Sequence, residues 1–184
     1  MKIRAWKFAW VALLLSIAGG LQANPTMPAD SKAASMDFKY KDTQGKTWQL
    51  SALKGQWVLL NFWAPWCPPC WFEMPALNDL HVKGAQRSPK LVVIGIAMDY
   101  SSESSVHDTV KRNRVTYPIV LGGSAKDKDS ADKQVGPVPF YPVTYLFSPD
   151  GKMAMFKAGM VDHEDIMAVV LRYENKHENK NEKK

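Results

Sequence analysis

Cysteine is nearly absent from this chain of 184 residues, which has only Cys67 and Cys70. That excludes the disulfide framework that staples small secreted domains, and it excludes a zinc centre built from two cysteine pairs. Histidine is scarce as well. His81, His107, His163 and His177 stand singly, so no pair of histidines completes a zinc site with the cysteines, and no metal is expected. Positive charge is in modest excess. The net +6 falls to +3 once the three basic residues of the first segment are set aside, and a balance so mild carries no nucleic-acid footprint. No apolar run reaches the ~20 residues that a full transmembrane helix needs, and there is no internal repeat.

The chain opens with Lys2, Arg4 and Lys7, followed by an apolar stretch from Phe8 through Leu13, Leu14, Leu15 and Ile17. Small residues and Leu21-Gln22-Ala23 come next. This is the pattern of a secretory signal cut after Ala23. Leu21 is larger than the residue usually found three before a cut, so an uncleaved membrane anchor fits residues 1–23 too. Residues 24–35 hold two prolines and read as a linker. Residues 36–174 read as one α/β domain, and 175–184 as a charged flexible tail. Export sets the redox setting, because outside the cytosol little keeps thiols reduced. A disulfide between Cys67 and Cys70 would close too small a ring to stabilise much. A chain that is 46% apolar is large enough to do without it. The pair asks for another reason.

Periodicity places the elements. Residues 36–41 and 47–50 read as a hairpin around Asp42-Thr43-Gln44-Gly45. Trp57–Trp63 and Leu91–Met98 are apolar throughout, as buried strands are. Residues 74–82 have helical spacing, and Ser101 or Ser102 caps a polar helix to about Arg114. Tyr117–Leu121 reads as a short strand, and residues 122–134 as loop or a short exposed helix. Val143–Phe147 is a third buried strand, and the turn at Ser148-Pro149-Asp150-Gly151 leads into an antiparallel return over 152–159. Asp162 caps a last helix with Ile166, Val169, Val170 and Tyr173 facing inward.

Cys67-Pro68-Pro69-Cys70 lies where a buried strand gives way to a helix. A helix N-terminus offers unpaired N–H groups and partial positive charge. Such surroundings bring a cysteine from about 8.5 into the range of roughly 3.5 to 7.5, favouring the nucleophilic thiolate. Cys67, first in the helix, is expected to be exposed and to attack. Cys70, one turn on, is expected to be more buried and to resolve the mixed disulfide. The prolines suit a first helical turn and stiffen the spacer. Trp63, Trp66 and Trp71 are candidates for an apolar collar, with Trp63 equally suited to the core.

The segment from Asn61 to Pro75 (NFWAPWCPPCWFEMP) resembles the active-site segment of the TlpA-like disulfide reductases, exported or tethered members of the thioredoxin superfamily. The resemblance implies a thioredoxin-like fold: a central mixed sheet flanked by helices, with an N-terminal β-hairpin and an insertion before the cis-proline strand. It implies thiol–disulfide exchange without a cofactor. Tyr141-Pro142-Val143-Thr144 is similar to the family's cis-proline loop, which makes Tyr141, Pro142 and Trp66 candidates for substrate contact. Here Phe140 and Tyr141 stand where the family often has glycine. The resemblance also implies a partly buried carboxylate at Glu73. It would handle the Cys70 proton in a chain that carries Asn61 where many cytosolic thioredoxins carry aspartate; a solvated helix glutamate is the alternative.

Three functions stay open on these residues. The leading one is a periplasmic reductase of exported proteins, soluble or tethered to the inner membrane. The resemblance adds cytochrome c or copper-site cysteines as substrates and a membrane thiol donor as partner. The others are an oxidase donating its disulfide to folding proteins, and a chaperone holding Cu(I) between two thiolates. A monomer is expected.

Overall fold

The computed structural model describes residues 38–181, with side chains to residue 178. The leader at 1–23 and the linker at 24–35 lie outside the described residues. Among those described, no helix is long and apolar enough to cross a membrane.

Strands β1 (Lys39–Lys41) and β2 (Thr47–Gln49) form an antiparallel hairpin, followed by a 3₁₀ turn at Leu50–Leu53. Then come β3 (Trp57–Trp63), α1 (Pro68–Gly84), β4 (Leu91–Ala97), α2 (Glu103–Arg112), β5 (Ile119–Leu121), α3 (Ala131–Val135), β6 (Val143–Phe147), β7 (Met153–Ala158) and α4 (His163–Asn181). The main sheet runs β5-β4-β3-β6-β7, with β3, β4 and β5 parallel and β6 and β7 antiparallel. This is the thioredoxin-like mixed sheet.

Strand alternation sorts the core into two faces. Trp57, Leu59 and Trp63 of β3 and Leu91, Val93 and Ala97 of β4 point to one side. There they meet Met74, Leu77 and Leu80 of α1, Val106 of α2, and Ile166 and Val170 of α4. Val58, Leu60 and Phe62 and Val92, Ile94 and Ile96 point to the other, against Phe38, Trp48, Leu50, Ala131 and Val135. Two successive right-handed crossovers, β3-α1-β4 and β4-α2-β5, move the chain in one direction and so put both helices on one face. The return from β5 to β6 carries α3 across the other.

The active-site helix begins at Pro68 with Cys67 as its cap, where the motif placed its first turn. Two expectations need correction. The segment before β6 does hold a short helix, but Ala131, Asp132 and Val135 are buried and not exposed. The sheet face left open by the crossover draws them in. Residues 175–181 continue α4, and do not form a loose tail. No glycine or proline interrupts the run, and Tyr173 stacks on His177 with ring centroids 4.2 Å apart.

The hairpin is fastened to the sheet. Asp42 bridges to Val120, and the Thr43 N–H donates to the Ile119 carbonyl at 2.8 Å. The Asp42 carboxylate accepts from the Trp48 indole at 2.8 Å and from the Gln44 and Lys46 amides at 2.9 Å each.

Candidate functional site

Cys67 and Cys70 are joined as a disulfide. Cys67 is the N-cap of α1, and its sulfur accepts the Cys70 N–H at 3.3 Å. Pro68 and Pro69 occupy the two positions between, and neither has an N–H to offer. In a helix the cap side chain ordinarily takes a donor from the second or third residue. Proline at the second leaves the third, Cys70, as the donor.

Cys67 is only 4% exposed and Cys70 1%, so the expected contrast in exposure is small. Bonding takes surface from each sulfur, and strand β3 delivers Cys67 to the edge of the core. Its chain neighbours Trp66, 60% exposed, and Pro68 and Pro69 face solvent. Phe140, just before Tyr141, is exposed as well, and the Gly159 N–H donates to the Pro142 carbonyl at 2.8 Å. Trp71 is partly buried and donates its indole N–H to the Pro65 carbonyl at 3.1 Å. Trp63 takes no part in a collar. It is wholly buried, and its indole nitrogen meets no acceptor among the described residues.

The Tyr141–Pro142 peptide is cis. A second cis proline, after Ser88, lies in the α1–β4 loop and had no signal in the sequence. The Tyr141 ring packs edge to face on Trp66, with centroids 5.7 Å apart. Both aromatics are tied to Asp99, at the end of β4. The Tyr141 hydroxyl donates to its Oδ2 at 2.8 Å, and the Trp66 indole donates to its backbone carbonyl at 2.9 Å. Nothing in the sequence marked Asp99, since the residues it joins lie in loops far apart along the chain.

About one turn after Cys70 in α1 comes Glu73, 2% exposed. Its Oε1 accepts from the Asn61 side-chain amide at 2.8 Å, and its Oε2 from the Val161 N–H at 3.0 Å. Burial pushes the carboxyl up to about 7, against the opposing pull of the Val161 and Asn61 bonds and of Lys157. Asn61 also donates to Thr144 Oγ1 at 3.1 Å. The register explains this: Asn61 of β3 is flanked by Gly95 of β4 and Thr144 of β6. A Cβ at Gly95 would come within 2.8 Å of the Tyr117 ring and 3.2 Å of the Trp63 nitrogen. Glycine there lets those two rings close in. The Tyr117 hydroxyl is buried, and burial and the nearby Glu73 charge hold its proton on.

Among the described residues no group of three or more His, Cys, Asp or Glu is placed to hold a metal ion. The His81 Nδ1 accepts the Val93 N–H at 3.3 Å, away from the cysteines.

The sequence model of the AhpC/TSA family matches residues 31–155. ResA, a thiol-disulfide oxidoreductase of Bacillus subtilis, is 33% identical over 123 residues, which cover 67% of this chain and 64% of that protein. The chain therefore spans a little under two thirds of that relative. Among solved structures, a secreted thiol-disulfide isomerase from Corynebacterium glutamicum is similar with a TM-score of 0.64 at 25% identity, covering 72% of this chain and 80% of that one. StoA from Bacillus subtilis is similar with a TM-score of 0.60 at 25% identity, covering 72% and 95%.

Proposed function

Because the chain belongs to the AhpC/TSA family, and within it to the TlpA-like thiol–disulfide oxidoreductases, we propose that it reduces disulfides of exported proteins through Cys67 and Cys70. One observation carries the reading: the sulfur of Cys67 caps a helix and accepts a backbone N–H, a placement that favours the thiolate.

In the reduced protein the Cys67 thiolate attacks one sulfur of a partner disulfide. The partner S–S bond breaks, an intermolecular S–S bond forms, and the released partner sulfur takes up a proton. Cys70 gives its proton to the Glu73 carboxylate and attacks the Cys67 sulfur. The mixed disulfide breaks, and the second partner sulfur leaves as thiolate. Two electrons pass from the cysteine pair to the partner, and the pair ends as the disulfide. A thiol donor on the membrane returns the electrons. Trp66, Tyr141 and cis-Pro142 line the place where the partner chain lies. The signal-like pattern of residues 1–23 supports work outside the cytosol, in the periplasm, whether that segment is cleaved or kept as an anchor. Apocytochrome c or copper-site cysteines are substrates of the right chemistry.

The test is trapping. Cys70→Ser should accumulate partners as mixed disulfides on Cys67, and their identity names the substrate. In the reduced protein Cys67 should alkylate faster than Cys70 at neutral pH; equal rates would remove Cys67 from the attacking role. A reduction potential below roughly −200 mV fits a reductant, whereas one near −120 mV would reverse the direction. Tight stoichiometric copper binding without disulfide exchange would replace the reading altogether.

A further inference from the structure

Loops from across the sheet meet at one side chain and its backbone. Asp99 follows β4. Its Oδ1 accepts from the Ser124 hydroxyl at 2.8 Å and the Ala125 N–H at 2.9 Å, both in the loop after β5. Its Oδ2 accepts from the Tyr141 hydroxyl, just before cis-Pro142. Its carbonyl accepts from the Trp66 indole, just before Cys67. Its N–H donates to the Gly123 carbonyl at 3.0 Å. Asp99 does this with a φ of 44°, in the left-handed region that non-glycine residues seldom occupy.

The bond to Trp66 gains the core little. Trp66 is 60% exposed, and tethering an exposed ring buries no core. What it does is hold a flat apolar surface at a set place beside a reacting sulfur. The two aromatics flank the two features that a partner polypeptide must reach, the sulfur at Cys67 and the backbone at Pro142.

We propose that Asp99 is a positioning residue for polypeptide substrates. It holds Tyr141 by its carboxylate and Trp66 by its carbonyl, and so fixes the aromatic wall against which an extended, disulfide-bearing chain docks. This rests on the oxidoreductase reading above. A small disulfide reaches Cys67 without lying along that wall, so Asp99 favours polypeptides over small molecules.

Kinetics with two probes test it: insulin as a protein disulfide and oxidised glutathione as a small one. Asp99→Gly keeps the positive φ and the carbonyl but removes the carboxylate. It should raise KM for insulin about tenfold, with kcat within about twofold of wild type, the size of effect that loss of a hydrogen bond to a charged group produces. The rate with oxidised glutathione should move far less. Asp99→Asn keeps the backbone, an acceptor for Ser124 and Ala125, and a bond to Tyr141, and should bring KM back to within about threefold of wild type. Tyr141→Phe should raise KM for insulin, and adding Asp99→Gly to it should cost less than the two changes separately. Equal losses on both probes, an unchanged KM, or an Asp99→Asn no better than Asp99→Gly would overturn the assignment. Should Asp99→Gly not fold, Tyr141→Phe against Asp99→Asn decides it by the same split. If wild-type protein exchanges with neither probe, the oxidoreductase reading fails first, and the positioning role falls with it.

Discussion

Glu73 sits in surroundings unusual for a glutamate. A carboxylate nearly without solvent, held by one amide side chain and one backbone N–H, titrates near 7 instead of near 4.5. At neutral pH it can therefore both accept and return a proton, which a resolving thiol requires. Replacing Glu73 with Gln should slow resolution about 100-fold. Rapid alkylation quench would show it as a build-up of mixed disulfide, and a build-up equal to wild type would dismiss the role. Much here was legible: the cysteines and Glu73 all stood out from the residues around them. Asn61 was visible only as a missing aspartate. Its part in holding Glu73 depends on the β3–β6 register, which pairs it with Thr144, and Asp99 depends on loops no local pattern connects.

At the scale of the element, the opening of α1 is where chain order sets chemistry. Cys67 caps the helix, Pro68 and Pro69 supply no donors, and Cys70 supplies the N–H that reaches the sulfur. Pro69→Ala would restore an N–H at the second helical position, within reach of the same sulfur. A second bond favours the thiolate, hence the reduced protein. The Cys67 thiol should become more acidic, and the potential should rise by about 20–30 mV, the equivalent of ~1 kcal/mol for a two-electron couple. Titration against a glutathione buffer measures it, and an unchanged or lower potential would count against the donor-poor first turn. Strands were the easiest elements to read, because β3, β4 and β6 are buried from end to end. The helices were harder. The polar sequence of α3 conceals a burial that only the crossover from β5 to β6 creates, and the end of α4 has composition but no core face to mark it.

For the whole molecule, Glu73 also couples stability to pH. Its proton is held up to about 7 when folded and only to the usual carboxylate value when unfolded. Between those two values the folded state binds more protons, so stability falls as pH rises through that window and levels above about 7. A shift of that size corresponds to about 3 kcal/mol. Asp99 acts in the opposite sense. Despite the burial that would raise it, bonds from Tyr141, Ser124 and Ala125 hold it below the usual carboxylate range, so its contribution is lost on acidification. Comparing wild type with Glu73→Gln cancels the aspartate. Denaturant midpoints from pH 4 to pH 8 should diverge, wild type losing ground toward pH 8; parallel curves would mean Glu73 is not held neutral by the fold.

The bridge at Asp42 has a consequence for crowded surroundings. An outer strand with free amides and carbonyls invites foreign chains to add themselves as further strands. On β5 the Ile119 carbonyl is already occupied by Thr43, and Asp42 lies across Val120. That stretch of margin is therefore already occupied, and on the function proposed above a partner chain drawn to the aromatic rim would find no free strand edge there to extend.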